Sequence, residues 1–139
     1  MNKYIIMFYI FMEYEMKKQI NTEKAPAAIG PYSQGVSFGD MIFLSGQIPL
    51  NPKTKELAKG ITEETTQVFE NIKALLEEAN SSFDKVLKCS VFLKSMDDFQ
   101  AMNAVYGKYF KEPYPAREAV QVAKLPLDVS VEISVIATM

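Results

Sequence analysis

Two consecutive stretches near the C-terminus alternate apolar and polar residues at every second position, the period of a β-strand. In residues 116–122, Val120 and Val122 fall on one side and Arg117, Ala119 and Gln121 on the other. In residues 129–138, Val129, Val131, Ile133 and Val135 share one side, and Ser130, Glu132 and Ser134 the opposite one. Pro115 and Pro126 bracket the first stretch and mark its ends. A guanidinium and a carboxylate are thereby predicted on the polar faces of neighbouring strands. If a partner covers that face, Arg117 and Glu132 become half-buried and form a binding site. If nothing does, Arg117 is an ordinary exposed residue on an edge strand. Alternation alone leaves both readings open.

The upstream pattern supplies the rest of the domain. Residues 18–22 predict a first short strand. Residues 25–35 hold Pro26, Gly30, Pro31 and Gly35, which forbid a helix and predict an ordered loop offering the hydroxyls of Tyr32 and Ser33. Residues 36–38 and 41–47 predict a hairpin around Gly39-Asp40. Its second arm ends at Ser45-Gly46, a small polar step that a backbone or ligand can approach closely. Residues 51–54, Asn-Pro-Lys-Thr, predict a turn.

Val68, Ile72, Leu75, Leu76 and Ala79 recur at helical spacing and predict an amphipathic helix over 62–80. Thr62 is its expected N-cap, with Glu63 and Glu64 at the positive end of the helix dipole. Residues 84–94 predict a strand with Leu87, Cys89, Val91 and Leu93 on one face. Ser95 and Asp98 then offer caps for a second helix whose apolar stripe is Phe99, Met102, Tyr106, Tyr109 and Phe110. Asn103 lies on that stripe, where a buried amide needs partners. It either ties down a neighbouring loop or edges a pocket.

Strand, hairpin, helix, strand, helix, strand and strand, without repeats or long linkers, predict an α+β domain. Its single mixed sheet carries two helices on one face. The other face is expected to carry Ala119, Gln121, Ser130, Glu132, Ser134 and Ile136. Such a small, mixed surface suits burial against copies of the same chain, in a closed homo-oligomer with interfacial sites.

Residues 1–16 break the pattern. Residues 4–12 are an unbroken apolar run, about 14 Å long as a helix against a hydrocarbon core of ~30 Å, too short to cross a membrane. The flanking charges do not suit a secretory signal, and Met16-Lys17-Lys18 reads as a second start. This segment is expected to stand outside the fold, as an upstream start or a disordered appendage rather than a membrane-surface or packing element. The domain proper is expected over 17–139.

Composition narrows the chemistry. The 139 residues suit one domain, and 48% hydrophobic with 23% charged residues is an ordinary globular balance. A formal net charge of -2 offers no nucleic-acid footprint. A lone cysteine, Cys89, excludes an internal disulfide and fits a reducing, cytoplasmic setting; it is expected to be a small buried hydrophobe. The chain contains no histidine, which removes Ser-His and Cys-His nucleophiles and the commonest transition-metal ligand. Neither metal nor cofactor is expected, and proton transfer falls to carboxylates, Tyr, Lys, backbone groups or water.

Several separated motifs now combine. Gly30-Pro31-Tyr32-Ser33-Gln34-Gly35, Phe43-Leu44-Ser45-Gly46-Gln47-Ile48-Pro49, Pro115-Ala116-Arg117, Val122-Ala123-Lys124-Leu125-Pro126 and Val131-Glu132-Ile133 resemble, in that order, the reactive intermediate deaminase family of RidA or YjgF type. The resemblance covers residues 17–139. It implies a homotrimer whose sheets form a central barrel, with helices outside and sites between subunits. It further implies hydrolysis of enamines and imines such as 2-aminoacrylate to 2-keto acids and ammonia. Arg117 then corresponds to the arginine that binds the substrate carboxylate, and Glu132 to the carboxylate that holds or activates water. Tyr32, Ser45, Gly46 and Asn103 match pocket positions. Position 119, often cysteine in that family, is Ala119 here, which leaves a role for its backbone carbonyl. The final-strand Glu-Ile-Glu is Glu132-Ile133-Ser134. The implied partners are a carboxylate-bearing imine or enamine and two further copies of the chain, with no nucleic acid and no membrane. A carboxylate-binding regulator and a translation-inhibiting ribonuclease are the competing implications.

Overall fold

The computed structural model describes residues 2–14 and 16–139. A helix α1 (Lys3–Tyr14) precedes strands β1 (Lys18–Ile20), β2 (Gly35–Phe38) and β3 (Met41–Gln47). Helix α2 (Ile61–Glu78), strand β4 (Val86–Leu93), helix α3 (Phe99–Tyr109) and strands β5 (Ala116–Gln121) and β6 (Val131–Thr138) follow. The six strands form one mixed sheet in the order β1-β2-β3-β6-β4-β5. β6 is antiparallel to both β3 and β4, and β4 and β5 are parallel. A parallel pair needs a crossover, which α3 supplies.

Both α2 and α3 pack on one face, as the periodicity predicts. Val68, Phe69, Ile72, Leu75 and Leu76 of α2, with Met102, Val105 and Tyr106 of α3, are buried. They join Ile42, Leu44, Cys89, Val91, Leu93, Val131, Ile133, Val135 and Ala137 of the sheet in one apolar core. The β2–β3 hairpin turns at Gly39, whose φ of 57° suits a residue without Cβ. Asn51 closes the expected turn by accepting from the N–H groups of Lys53 and Thr54 at 2.9 and 3.2 Å. Ser95 caps the segment leading into α3, its Oγ accepting from Asp97 N–H at 3.2 Å.

Four expectations are corrected. α2 starts at Ile61 with Gly60 as N-cap, at φ 91°, so Thr62 lies inside the first turn and does not cap it. In β4 the register shifts between Val86 and Lys88, and this irregularity turns Leu87 outward while Val86 takes the core position. Residues of α1 are helical rather than disordered, although none of them is buried.

The fourth correction concerns the faces of β5. Arg117 is paired with Cys89 and Ala119 with Val91, and residues paired across strands point to the same side. Arg117, Ala119 and Gln121 therefore face the helices, and Ala119 packs against the core. Val120 is paired with Phe92, which is paired in turn with Glu132, so Val120 shares the open face with Glu132. Arg117 and Glu132 stand on opposite faces of the sheet, and Ala119 and Gln121 leave the open face.

Candidate functional site

Arg117 leaves the first turn of β5 and reaches α3. Its Nη1 donates to Asn103 Oδ1 at 2.8 Å. Its Cζ lies 4.5 Å from the centroid of the Tyr106 ring and 5.6 Å from that of Phe99. Phe99, Asn103 and Tyr106 follow at i, i+4 and i+7, one stripe of α3. The stripe holds the guanidinium by stacking and one hydrogen bond, interactions that suit a planar delocalised cation better than an ammonium. Among the described residues no carboxylate lies within salt-bridge distance of it; the recorded ion pairs are Lys88–Glu118 and Lys94–Asp128. The fork is thus oriented but not neutralised.

A cavity of about 440 Å³ opens beside this cation, lined by Asn103, Tyr106, Gly107, Tyr114, Pro115 and Arg117. Of these residues only Asn103 and Arg117 were expected at a site from the sequence. Tyr106 was expected in the core, where the ring does lie. Its hydroxyl, however, is buried and finds no hydrogen-bond partner among the described residues. Burial raises the Tyr106 hydroxyl pKa far above its usual range and pushes the neighbouring Cys89 thiol up to about 11. The two groups perturb each other's titration without meeting hydrogen-bond geometry. Cys89 is wholly buried and protonated at neutral pH, so it is no nucleophile. Less than a tenth of an equivalent of thiol is expected to react with a disulfide reagent in the native protein, against one equivalent in denaturant.

The other candidates gather elsewhere. A second cavity, about 370 Å³, is lined by Lys17, Pro31, Tyr32, Ser33, Gly35, Val36, Phe43, Leu44 and Ser45. The Gly30–Gly35 loop holds these hydroxyls in place. Tyr32 Oη accepts from Ile29 N–H at 3.2 Å, and Ser45 Oγ donates to Ser33 O at 2.6 Å. Buried Gln34 anchors the loop by donating to the carbonyls of Thr22, Ala25 and Pro26 and accepting from Thr22 N–H at 2.7 Å.

Glu132 adjoins the end of this strand. The register of β3 against β6 shifts between Leu44 and Gln47, a bulge at Ser45-Gly46. The Glu132 side chain folds over Gly46 in the space a Cβ would take. A methyl there would collide with its carboxylate oxygen and stand 2.9 Å from its Cδ. Burial raises the Glu132 pKa above that of an ordinary carboxylate. The close approach expected at Gly46 is therefore made by the protein's own carboxylate.

The Ala119 side chain faces the core, and its backbone faces the sheet edge. Val122 N–H donates to Leu93 O at 3.0 Å. In a parallel pair alternate residues turn their N–H and C=O toward the neighbouring strand, so those of Ala119 point away from β4, off the open sheet edge. One chain thus carries the candidates in two separate places. The first holds Arg117 and Asn103 beside α3; the second holds Tyr32, Ser45, Gly46 and Glu132 at the end of β3.

Comparison with known proteins places this geometry. The family model described as Endoribonuclease L-PSP matches residues 22–139. A RutC family protein of Pyrococcus horikoshii is 54% identical over 123 residues, covering 88% of this chain and 98% of its own. The 2-iminobutanoate/2-iminopropanoate deaminase of Escherichia coli K12 is 48% identical over 125 residues, with 88% and 98% covered. The crystal structure of E. coli TdcF with bound serine superposes with a TM-score of 0.84 at 44% identity, covering 88% of this chain and 98% of that one. With the match running from the Gly-Pro-Tyr-Ser loop through the last strand, the chain belongs to the Endoribonuclease L-PSP family, the RidA/YjgF family that its separated motifs resemble.

Proposed function

We propose that this protein hydrolyses carboxylate-bearing enamines and imines, such as 2-aminoacrylate and its imine, to 2-keto acids and ammonia. The observation that carries this reading is the Arg117 fork, oriented by Asn103 and two rings and left without a carboxylate of its own. A planar guanidinium with free N–H groups grips a small carboxylate in a fixed orientation. The serine bound to E. coli TdcF carries such a carboxylate, and the E. coli K12 relative is a deaminase of 2-imino acids.

The second half of the reading is assembly. No single protomer can bring Arg117 and Glu132 to one substrate, because they occupy opposite faces of its sheet. The open face also carries Phe43 and Val120, each 43% exposed, and β5 has an unpaired edge. An apolar residue turned away from its own core asks for cover from outside. In a homotrimer of facing sheets, the Arg117 half-site of one subunit meets the Glu132 half-site of the next. Sedimentation at micromolar concentration is expected to give three times the 15.7 kDa chain mass. A monomer would refute both the assembly and the shared site.

At that site the chemistry needs little. The terminal carbon of the enamine takes a proton from water in the cleft, giving the protonated imine. Glu132 takes a proton from an ordered water, whose oxygen adds to the imine carbon. The proton returns to the nitrogen, the C–N bond breaks with its electrons leaving on ammonia, and the hydroxyl closes the keto-acid carbonyl as its proton goes back to water. A carboxylate whose pKa is raised by burial is suited to such shuttling. Freshly generated 2-aminoacrylate tests the reading: ammonia release above the spontaneous rate is expected. A protein that binds the keto acid without accelerating ammonia release is a regulator, and the reading fails. The ribonuclease reading has the family model's description in its favour. The chain offers it no histidine and a net charge of -2.

A further inference from the structure

Helix α1 is the part of the molecule that none of this uses. It lies outside the residues matched by the family model. Its sequence, Lys-Tyr-Ile-Ile-Met-Phe-Tyr-Ile-Phe-Met-Glu-Tyr, has charges only at its two ends. Nine consecutive apolar residues spread around the whole circumference, since successive side chains turn by 100°. Tyr4, Met7, Phe8, Tyr9, Ile10 and Phe11 are all more than half exposed. Its last turn meets the domain. Tyr14 O accepts from Gly39 N–H at 3.0 Å, and the Tyr14 ring packs over Gly39 in the β2–β3 turn.

The distribution around the helix decides what can cover it. A protein groove or a second copy buries one stripe of a helix and leaves the rest to water, and helices selected for that are amphipathic. One that is apolar on every side needs an apolar medium around it. Twelve residues rise about 18 Å, roughly half of a hydrocarbon core, so the segment reaches into one leaflet and cannot span. Accordingly no helix among the described residues is long and apolar enough to cross a membrane. Tyr4, Tyr9 and Tyr14 suit the headgroup boundary, and Phe8 and Phe11 the hydrocarbon beneath it. Glu13, in the last turn of the helix, offsets Lys3 at the other end, so the charges of α1 give no pull toward an anionic surface.

We propose that α1 is a monotopic anchor that inserts into one leaflet of a lipid bilayer, by apolar burial rather than by charge. This departs from the expectation that the protein meets no membrane. It stands independently of the deaminase reading, and three anchors on one trimer would bind together with higher avidity than one.

Flotation of the full chain with zwitterionic phosphatidylcholine vesicles tests it. The protein is expected to float, and to remain bound in 0.5 M salt. Ile6→Glu combined with Ile10→Glu, one turn apart on α1, is expected to weaken partitioning by about 100-fold, from the insertion cost of charged side chains. Its trimer mass and imine hydrolysis should be unchanged, which separates loss of the anchor from loss of the fold. The chain has no tryptophan, so Phe8→Trp supplies a single reporter, whose emission is expected to shift to the blue with vesicles. Protein that stays at the bottom of the gradient overturns the proposal. So does binding confined to anionic vesicles and released by salt, which assigns it to lysines. A blue shift without vesicles, accompanied by doubling of the assembly mass, assigns α1 to a second copy and also overturns it.

Discussion

Arg117→Ala is expected to lower kcat/KM on carboxylate-bearing imines by roughly 10²- to 10³-fold, the worth of two charge-assisted hydrogen bonds. The same substitution should abolish detectable binding of a keto-acid product analogue in titration calorimetry. Removing the side chain leaves Asn103 Oδ1 without its donor and the Tyr106 ring without its cation, while the core beneath is intact. The variant should therefore fold and assemble. Arg117→Lys separates charge from geometry. An ammonium keeps the attraction but cannot lie flat over Tyr106 while offering a fork to a carboxylate. Intermediate activity, with the loss mainly in KM, is the expected result. If Arg117→Ala binds the analogue as well as the unaltered protein, Arg117 is not the anchor and the mechanism falls.

Gly46→Ala should reduce kcat by about 10²-fold or more, matching Glu132→Gln, because a general acid–base group is worth 10² to 10⁴. A methyl at position 46 claims the space of the Glu132 carboxylate. What moves is the end of a flexible side chain, so the sheet should survive and the melting temperature change little. Affinity for the keto-acid analogue should persist in both variants, since neither touches Arg117; a fall in kcat with KM retained is the signature. The pH profile sharpens the test. Glu132 must be ionised to take a proton, and burial raises its pKa. Activity should fall on the acid side through a pKa above the ordinary carboxylate value, and this limb should be absent in Glu132→Gln. The sign for stability is the reverse. Burial opposes the charged form, so the Glu132 contribution is best below its unfolded pKa and is lost as pH rises through the raised folded one. A Gly46→Ala protein with full activity would mean that Glu132 has no role at that position.

What was legible in the sequence was local. The Gly39-Asp40 hairpin, the Asn51 turn, the Ser95 cap and the stripes of α2 and α3 are each decided within a few residues, by backbone geometry and side-chain period. The order of elements, and with it the α+β class, follows from those. The residues that resemble the family motifs were legible as types, but their places were not. Arg117 meets its aromatic cradle, Tyr106 and Phe99 upstream on α3, only because α3 crosses back to lay β5 beside β4. Gly46 makes room for a carboxylate far along the chain because a bulge in β3 opposes β6. The faces of β5 were misread for a physical reason. Alternation tells which residues share a side, and apolar residues were assumed to face the protomer's own core. In β5 the small Ala119 faces that core and Val120 faces out, an assignment set by pairing with β4 rather than by hydrophobicity. The outward turn of Leu87 has the same origin, a register shift against β6 that no period in the strand itself records.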